Sequence, residues 1–131
     1  MADNLPDTVE NALLDLLLRG TAYTVTAPVK ARLMTANGTD AADGTELGTG
    51  GGYTALGQTI TFGSAAASGS IANTVACTWT NMPATTIVGL EIWSSDGTPK
   101  RLWWGALAAS KTVGSGDTFE FAIGAVVCTL S

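Results

Sequence analysis

The 131-residue sequence contains no histidine. With it go the commonest general base, the commonest metal ligand and every Ser-His or Cys-His nucleophile pair. No Ser-x-x-Lys takes its place, and the adjacent Ser110 and Lys111 would point to opposite faces of a strand. Charge is scarce too: charged residues make up 13% of the chain, about half the share of an average soluble domain. Only six residues are Lys or Arg, they are scattered, and the net charge is −5. That argues against a nucleic-acid partner, because phosphate binding draws its affinity from gathered cations. Long apolar runs are missing as well. The most apolar stretch, LLDLLL at residues 13–18, is interrupted by Asp15 and far too short to span a bilayer. The acidic start MADNLPDTVE lacks the basic segment of a secretory signal. These absences lead us to expect a soluble protein made in the cytoplasm, with no cofactor, no metal and no membrane partner.

Cysteine is limited to two residues. Cys77 shares a strand face with Val75 and Trp79, and Cys128 shares one with Val126 and Leu130, so both read as small buried hydrophobes. A disulfide between them stays open from sequence, although a reducing compartment disfavours it.

Against these absences stands a hydrophobic content of 46%. The length suits one domain, residues 1–131, with a core that needs no staples. So small a domain has too much surface to leave this uncharged. The expected remedy is to bury part of it against copies of itself, as a homotrimer or another homo-oligomer, or against a host assembly.

Three of the four tryptophans and the clearest hairpin signal fall within residues 84–113. Two β-favouring runs, residues 86–93 and 101–107, flank the connector SSDGTPK, whose Asp-Gly supplies positive φ and whose proline stays out of the ladder. In the first run Val88, Leu90 and Ile92 form an aliphatic, core-facing side, opposite Ile87, Gly89, Glu91 and Trp93. In the second, Trp103 and Trp104 take opposite faces, so one of them lies away from the core, under another sheet, under a helix or at a subunit contact. Trp93 and Trp103 are the candidate contact residues.

Residues 7–19 predict the one helix. Asp7 and Glu10 suggest a capping box after Pro6, Arg19 suits the last turn, and Gly20 suits the position just past it. Val9, Ala12, Leu13, Leu16 and Leu17 make an amphipathic stripe that Leu14 and Leu18 widen well beyond the usual arc. Such a helix covers the open end of its own domain or lies between subunits. Leu13, Leu14, Leu17 and Leu18 are therefore candidate interface residues.

Strands are expected at residues 29–36, 54–62, 71–79, 111–113, 118–123 and 125–130, with a bend at Gly124. Residues 37–53 read as a solvated, flexible loop. Its Asn37, Asp40, Asp43 and Glu46 do not follow the alternate-oxygen spacing of a calcium loop, and Gly50-Gly51-Gly52 lacks the Lys-Ser/Thr of a phosphate loop. The expected fold is mainly β, an antiparallel β-sandwich, jelly-roll-like, with one N-terminal α-helix.

The stretches VGLEIWSSDG, LWWGAL, KTVGSGDTFEF and AIGAVVCTLS, with RGTAYT, GGGY and ITFGSAA upstream, resemble a family of small bacteriophage virion proteins labelled tail-fibre-like. The resemblance covers residues 12–131. It implies a particle component that self-associates and performs no chemistry, and it carries over no functional residues.

Glu91 and Glu120 are the carboxylates within strands that a glycosidase would need to face each other in a cleft. Each is better explained as an outward-facing residue or as the partner of a basic side chain. Three functions stay open. The first is a capsid decoration protein that clamps the major capsid protein. The second is a tail-fibre or receptor-binding component bound to other virion proteins. The third is a carbohydrate-binding module using exposed tryptophans. Decoration leads, because a fibre shaft needs heptads, a triple-stranded repeat or a collagen-like tract, and the sequence has none.

Overall fold

The computed structural model of the chain describes residues 4–130. The first three residues of the acidic N-terminal stretch, and Ser131, lie outside the described residues. One helix, α1 (Asp7–Arg19), precedes nine strands: β1 (Lys30–Ala36), β2 (Thr45–Glu46), β3 (Gln58–Thr59), β4 (Ser70–Ala72), β5 (Cys77–Trp79), β6 (Thr85–Trp93), β7 (Arg101–Val113), β8 (Phe119–Phe121) and β9 (Val127–Thr129). The fold is mainly β, with antiparallel pairing throughout and sandwich-like packing.

The larger layer is a five-stranded sheet in the order β2-β1-β6-β7, with β3 continuing the outer edge of β1. The facing layer is two separate ribbons, β4 with β9 and β5 with β8. Register assigns the faces of the larger sheet. Ala31, Ile92 and Trp103 lie opposite one another across β1, β6 and β7, and Arg32, Glu91 and Trp104 form the next row. Successive rows alternate sides. The first row joins Leu33, Ile87 and Leu90 in a core closed from the ribbon side by Cys77, Trp79, Phe119, Phe121, Val126 and Cys128. Within it Trp79 meets Phe119 and Phe121 edge-on, at ring centroids 6.0 and 6.1 Å away.

The second row is covered as well. The face carrying Glu91 lies under residues 37–44 and the segment leading into α1, so β6 is buried on both sides from Gly89 to Ile92. The alternation expected in β6 therefore fails. A register shift between Ile87 and Gly89 places Ile87 in the core beside Leu90 and Ile92 and leaves Val88 half-buried, and of the two places expected for Glu91 it takes the one beside a basic side chain, Arg101, rather than the outward one.

Other expectations change for local reasons. Residues 54–62 do not run as one strand: Leu56 and Gly57 both have positive φ, and a Cβ at Gly57 would sit 1.9 Å from the Ala31 carbonyl oxygen. Residues 71–79 break into β4 and β5, which join different ribbons, because the period of two is interrupted at Asn73. Asn73 is buried. Its side chain donates to the carbonyls of Val75 and Ala122 and accepts from the Val126 N–H, tying both ribbons together. Val75 and Leu130, expected on buried faces, are exposed. The strand expected at residues 111–113 is the end of β7, whose residues between Ala106 and Lys111 bulge out opposite Val88. Gly124 forms the expected bend, at φ 76°. Cys77 and Cys128 are buried and free.

Helix α1 spans the expected residues and ends at Gly20 in the left-handed conformation, whose N–H bonds the Asp15 carbonyl. Its N-cap is Pro6, with no side-chain cap, so the capping box does not form. Only Val9 is buried, and Leu16 and Leu17, assigned from sequence to the inward stripe, are exposed.

Candidate functional site

Three features stand out from this frame: a cluster of bonded charges, a pinned loop, and two apolar surfaces on opposite sides of the sheet.

The charges gather on the second face of the sheet. Arg101 is buried, with Nη1 3.3 Å from Glu91 Oε1 and Nη2 donating to the carbonyls of Thr39 (2.6 Å) and Asp40 (3.1 Å). Its Nε lies 3.1 Å from Asp43 Oδ1 but is not aligned for a hydrogen bond. Glu91, 2% exposed, also accepts from the Gly44 N–H at 2.7 Å and from Trp93 Nε1 at 2.9 Å. Asp40 accepts from Trp104 Nε1 at 2.8 Å. Glu46 accepts from the Tyr53 hydroxyl and the Leu56 N–H, each at 2.7 Å, while Asn37 donates to the Val88 carbonyl. Burial, then the bond to Glu46, pushes the Tyr53 hydroxyl well above its ordinary range, so it stays a donor. Residues 37–46 are thus a bonded clasp rather than a free loop. Asn37, Asp40, Asp43 and Glu46 each take part in these contacts, and among the described residues no group of acids and cysteines is arranged to hold a metal.

Of the paired tryptophans, Trp104 is the one away from the main core. Its backbone N–H bonds the Asn4 carbonyl, under the segment that leads into α1.

The connector after β6 is closed by reciprocal bonds between Ser94 and Lys100 and strapped to the stretch before β1. Asp96 Oδ1 accepts from the Thr26 hydroxyl at 2.6 Å, and Ser95 bonds the Thr26 and Pro28 carbonyls. Hydrogen bonds from Ser94 and Thr26 hold the Asp96 carboxyl well below the usual carboxylate range. These bonds tie both flanks of the hairpin tip to residues 24–28.

The residues singled out as contact candidates separate into two groups. Trp93 is half-buried, its indole bonded to Glu91 and its ring face stacked under the Arg32 guanidinium at 4.1 Å. Trp103 is half-buried against the core. Trp93 therefore has its ring face already taken, and Trp103 turns part of its surface to the apolar groove described below. The helix differs: Leu13 is half-buried, whereas Leu14, Leu17 and Leu18 are 56%, 74% and 79% exposed. They occupy positions i, i+3 and i+4, one stripe on the side turned away from Val9.

A groove of about 640 Å³ opens on the other side of the sheet, between the layers. Phe62, Ile71, Ile92, Leu102, Trp103 and Leu130 line much of it, and no Asp, Glu, Lys or Arg reaches it. Sequence reasoning missed it because Phe62, Ile71 and Leu130 carry the pattern of core residues, and only the division of the second layer into ribbons leaves them uncovered. Cys128 lies in its wall, and burial pushes its thiol up to about 12, so it behaves as an apolar group there.

A family model described as Podophage GP4 fiber I protein gp80 matches residues 4–129. The chain belongs to this family. It is a phage fibre or virion structural protein, and the match takes in the clasp, the helix and both layers. No curated protein matches the chain. Membership in a structural fibre family accords with what the carboxylates do. Glu91 lies against the clasp on one face of the sheet, and Glu120, exposed on a ribbon covering the other face, accepts from the Thr78 hydroxyl at 2.7 Å. The two do not share a cleft, so the glycosidase arrangement is absent.

Proposed function

We propose that the chain is a non-enzymatic component of a phage fibre, working through dry surface contacts with other virion proteins. The observation that carries this reading is the exposed stripe of Leu14, Leu17 and Leu18, on a molecule whose buried charges are spent on internal structure. Burying a leucine side chain stabilises a contact by about 1.5–3 kcal/mol, before the cost of association. The fibre family supports a fibre position over the decoration role favoured from sequence.

Capsid decoration is the second reading. It is favoured by the absence, among the described residues, of any element that forms a shaft. Deleting the gene from a phage and measuring adsorption to cells and heat-driven genome release separately tests the two. Lost adsorption with normal heat resistance is the expected result. Lost heat resistance with normal adsorption overturns the fibre position in favour of decoration.

A further inference from the structure

We infer that the groove between the layers binds a single alkyl chain with a neutral, hydrogen-bond-accepting head, the chemistry of a fatty-acyl ester, with the Trp103 indole N–H as its polar anchor. Such a site takes a small molecule rather than a virion protein, wherever on the particle the chain sits.

Size separates the two kinds of occupant. At about 640 Å³ the groove falls within the range of small-ligand sites, roughly 300–1,000 Å³. A stable protein contact covers about 800 Å² on each partner, more than a groove of this size presents.

The walls then select the chemistry. Phe62 and Ile71 on one side and Ile92, Leu102 and Trp103 on the other are hydrocarbon, and no Asp, Glu, Lys or Arg lines the groove. Lys30 stands on the opposite face of β1 from Ala31, where its ammonium is 3.3 Å from the Thr59 hydroxyl. A carboxylate or phosphate head would therefore be buried without a cation, which is costly. Polar groups at the rim are mostly spent within the chain. Ser70 Oγ lies 3.4 Å from Thr129 Oγ1, and the carbonyls of Val29, Thr61 and Gly69 accept from the Ile60, Thr74 and Leu130 N–H groups. A sugar needs several convergent polar anchors and does not find them here.

One donor is left over. The indole N–H groups of Trp93 and Trp104 bond Glu91 and Asp40, whereas that of Trp103 has no hydrogen-bond partner among the described residues. An ester carbonyl accepts from such a donor and brings no charge. Its alkyl chain, lying between the β6–β7 hairpin and the β4–β9 ribbon, touches both layers.

The test is isothermal titration calorimetry of the full-length protein with methyl butanoate, hexanoate and octanoate. Affinity is expected to rise by about fourfold for each methylene buried, hence about sixteenfold between successive esters. At about pH 8, where its carboxyl is ionised, octanoate should bind at least about tenfold more weakly than methyl octanoate. Glucose should not bind. Ala66→Trp fills the groove from an exposed rim position and should abolish ester binding, with circular dichroism to check folding. Thr61→Lys, also at the exposed rim, supplies a cation and should turn the preference toward octanoate. Trp103→Phe should weaken ester binding by about threefold, the loss of one hydrogen bond, and leave the dependence on chain length unchanged. Equal affinity in Trp103→Phe overturns the role given to the indole. Ester affinity that ignores chain length, octanoate bound as tightly as its ester, or glucose binding overturns the inference. Self-association of the wild type that Ala66→Trp abolishes, with no ester binding, overturns it in favour of a protein occupant and leaves the proposed function standing.

Discussion

The clasp around Arg101 and the outer face of α1 reverse the usual places of charge and hydrocarbon. At the clasp, Arg101 and Glu91 are almost fully buried, and on the helix three leucines face water. The clasp can hide its charges because every carboxylate oxygen of Glu91 has a donor and Arg101 also caps two carbonyls. A buried pair so arranged costs little more than it returns, whereas either member alone is costly. The helix leaves its leucines out because its attachment at Leu5, Pro6 and Val9 fixes which face meets the domain. Residue type sets the cost of each placement, but the neighbours that the topology supplies decide it.

Breaking the clasp should have the largest effect. Arg101→Met leaves Glu91 buried against Gly44 and Trp93 without its cation, and should destabilise folding by about 3–5 kcal/mol, read from the urea midpoint. Adding Glu91→Gln to Arg101→Met should restore part of that loss. No restoration would mean that Arg101 acts mainly through the Thr39 and Asp40 carbonyls.

Asn73 extends the comparison to a neutral buried group. Asn73→Ala removes two donors and one acceptor at the junction of the ribbons and should cost about 2–3 kcal/mol in the same measurement. A loss as large as that for Arg101→Met would show that charge is not what makes the clasp critical.

How much of this was legible follows from the range of each signal. Helix α1 was readable to the residue because its stop is local: Gly20 adopts the left-handed turn that only a glycine takes easily. The hairpin of β6 and β7 was readable from Asp96-Gly97. The burial of Glu91 was not, because it depends on Arg101 ten residues away and on Gly44 forty-seven residues away. Asn73 looked like one more step in an alternating strand, since nothing in a period of two announces a side chain that bonds three separate backbone groups. The leucine stripe was visible as an excess over what one face can bury, but the groove was not, since its lining reads as core. Turn and helix stops could be read, whereas burial that required residues 37–44 or a second ribbon to meet a strand could not.

Acid should loosen the hairpin tip by a smaller amount. The folded Asp96 carboxyl is held below its ordinary value, so its contribution is fully present above about pH 3.9 and is lost as pH falls through the lower folded value. The Thr26 N–H also donates to Asp96 Oδ2 at 3.5 Å, so amide exchange there should quicken only in strongly acidic solution, and Asp96→Asn should abolish that dependence. Equal pH dependence in the variant would assign it to another carboxylate.

The smallest effect on folding is expected where the sequence is most apolar. Leu17 and Leu18 are 74% and 79% exposed, so replacing either with Glu removes almost no contact within the chain. Surface substitutions of this kind change stability by within about 0.5 kcal/mol. Val9→Glu provides the contrast on the same helix: it forces a carboxylate into the one buried position of α1 and should cost about 2 kcal/mol or more. Both measurements belong in dilute protein, where association does not contribute to the midpoint. At higher concentration the wild type should gain stability and Leu17→Glu should not, so the difference between their midpoints should widen with concentration. A Leu17→Glu midpoint as low as that of Val9→Glu in dilute solution would mean that the stripe is buried within its own domain, and the contrast between clasp and helix would disappear.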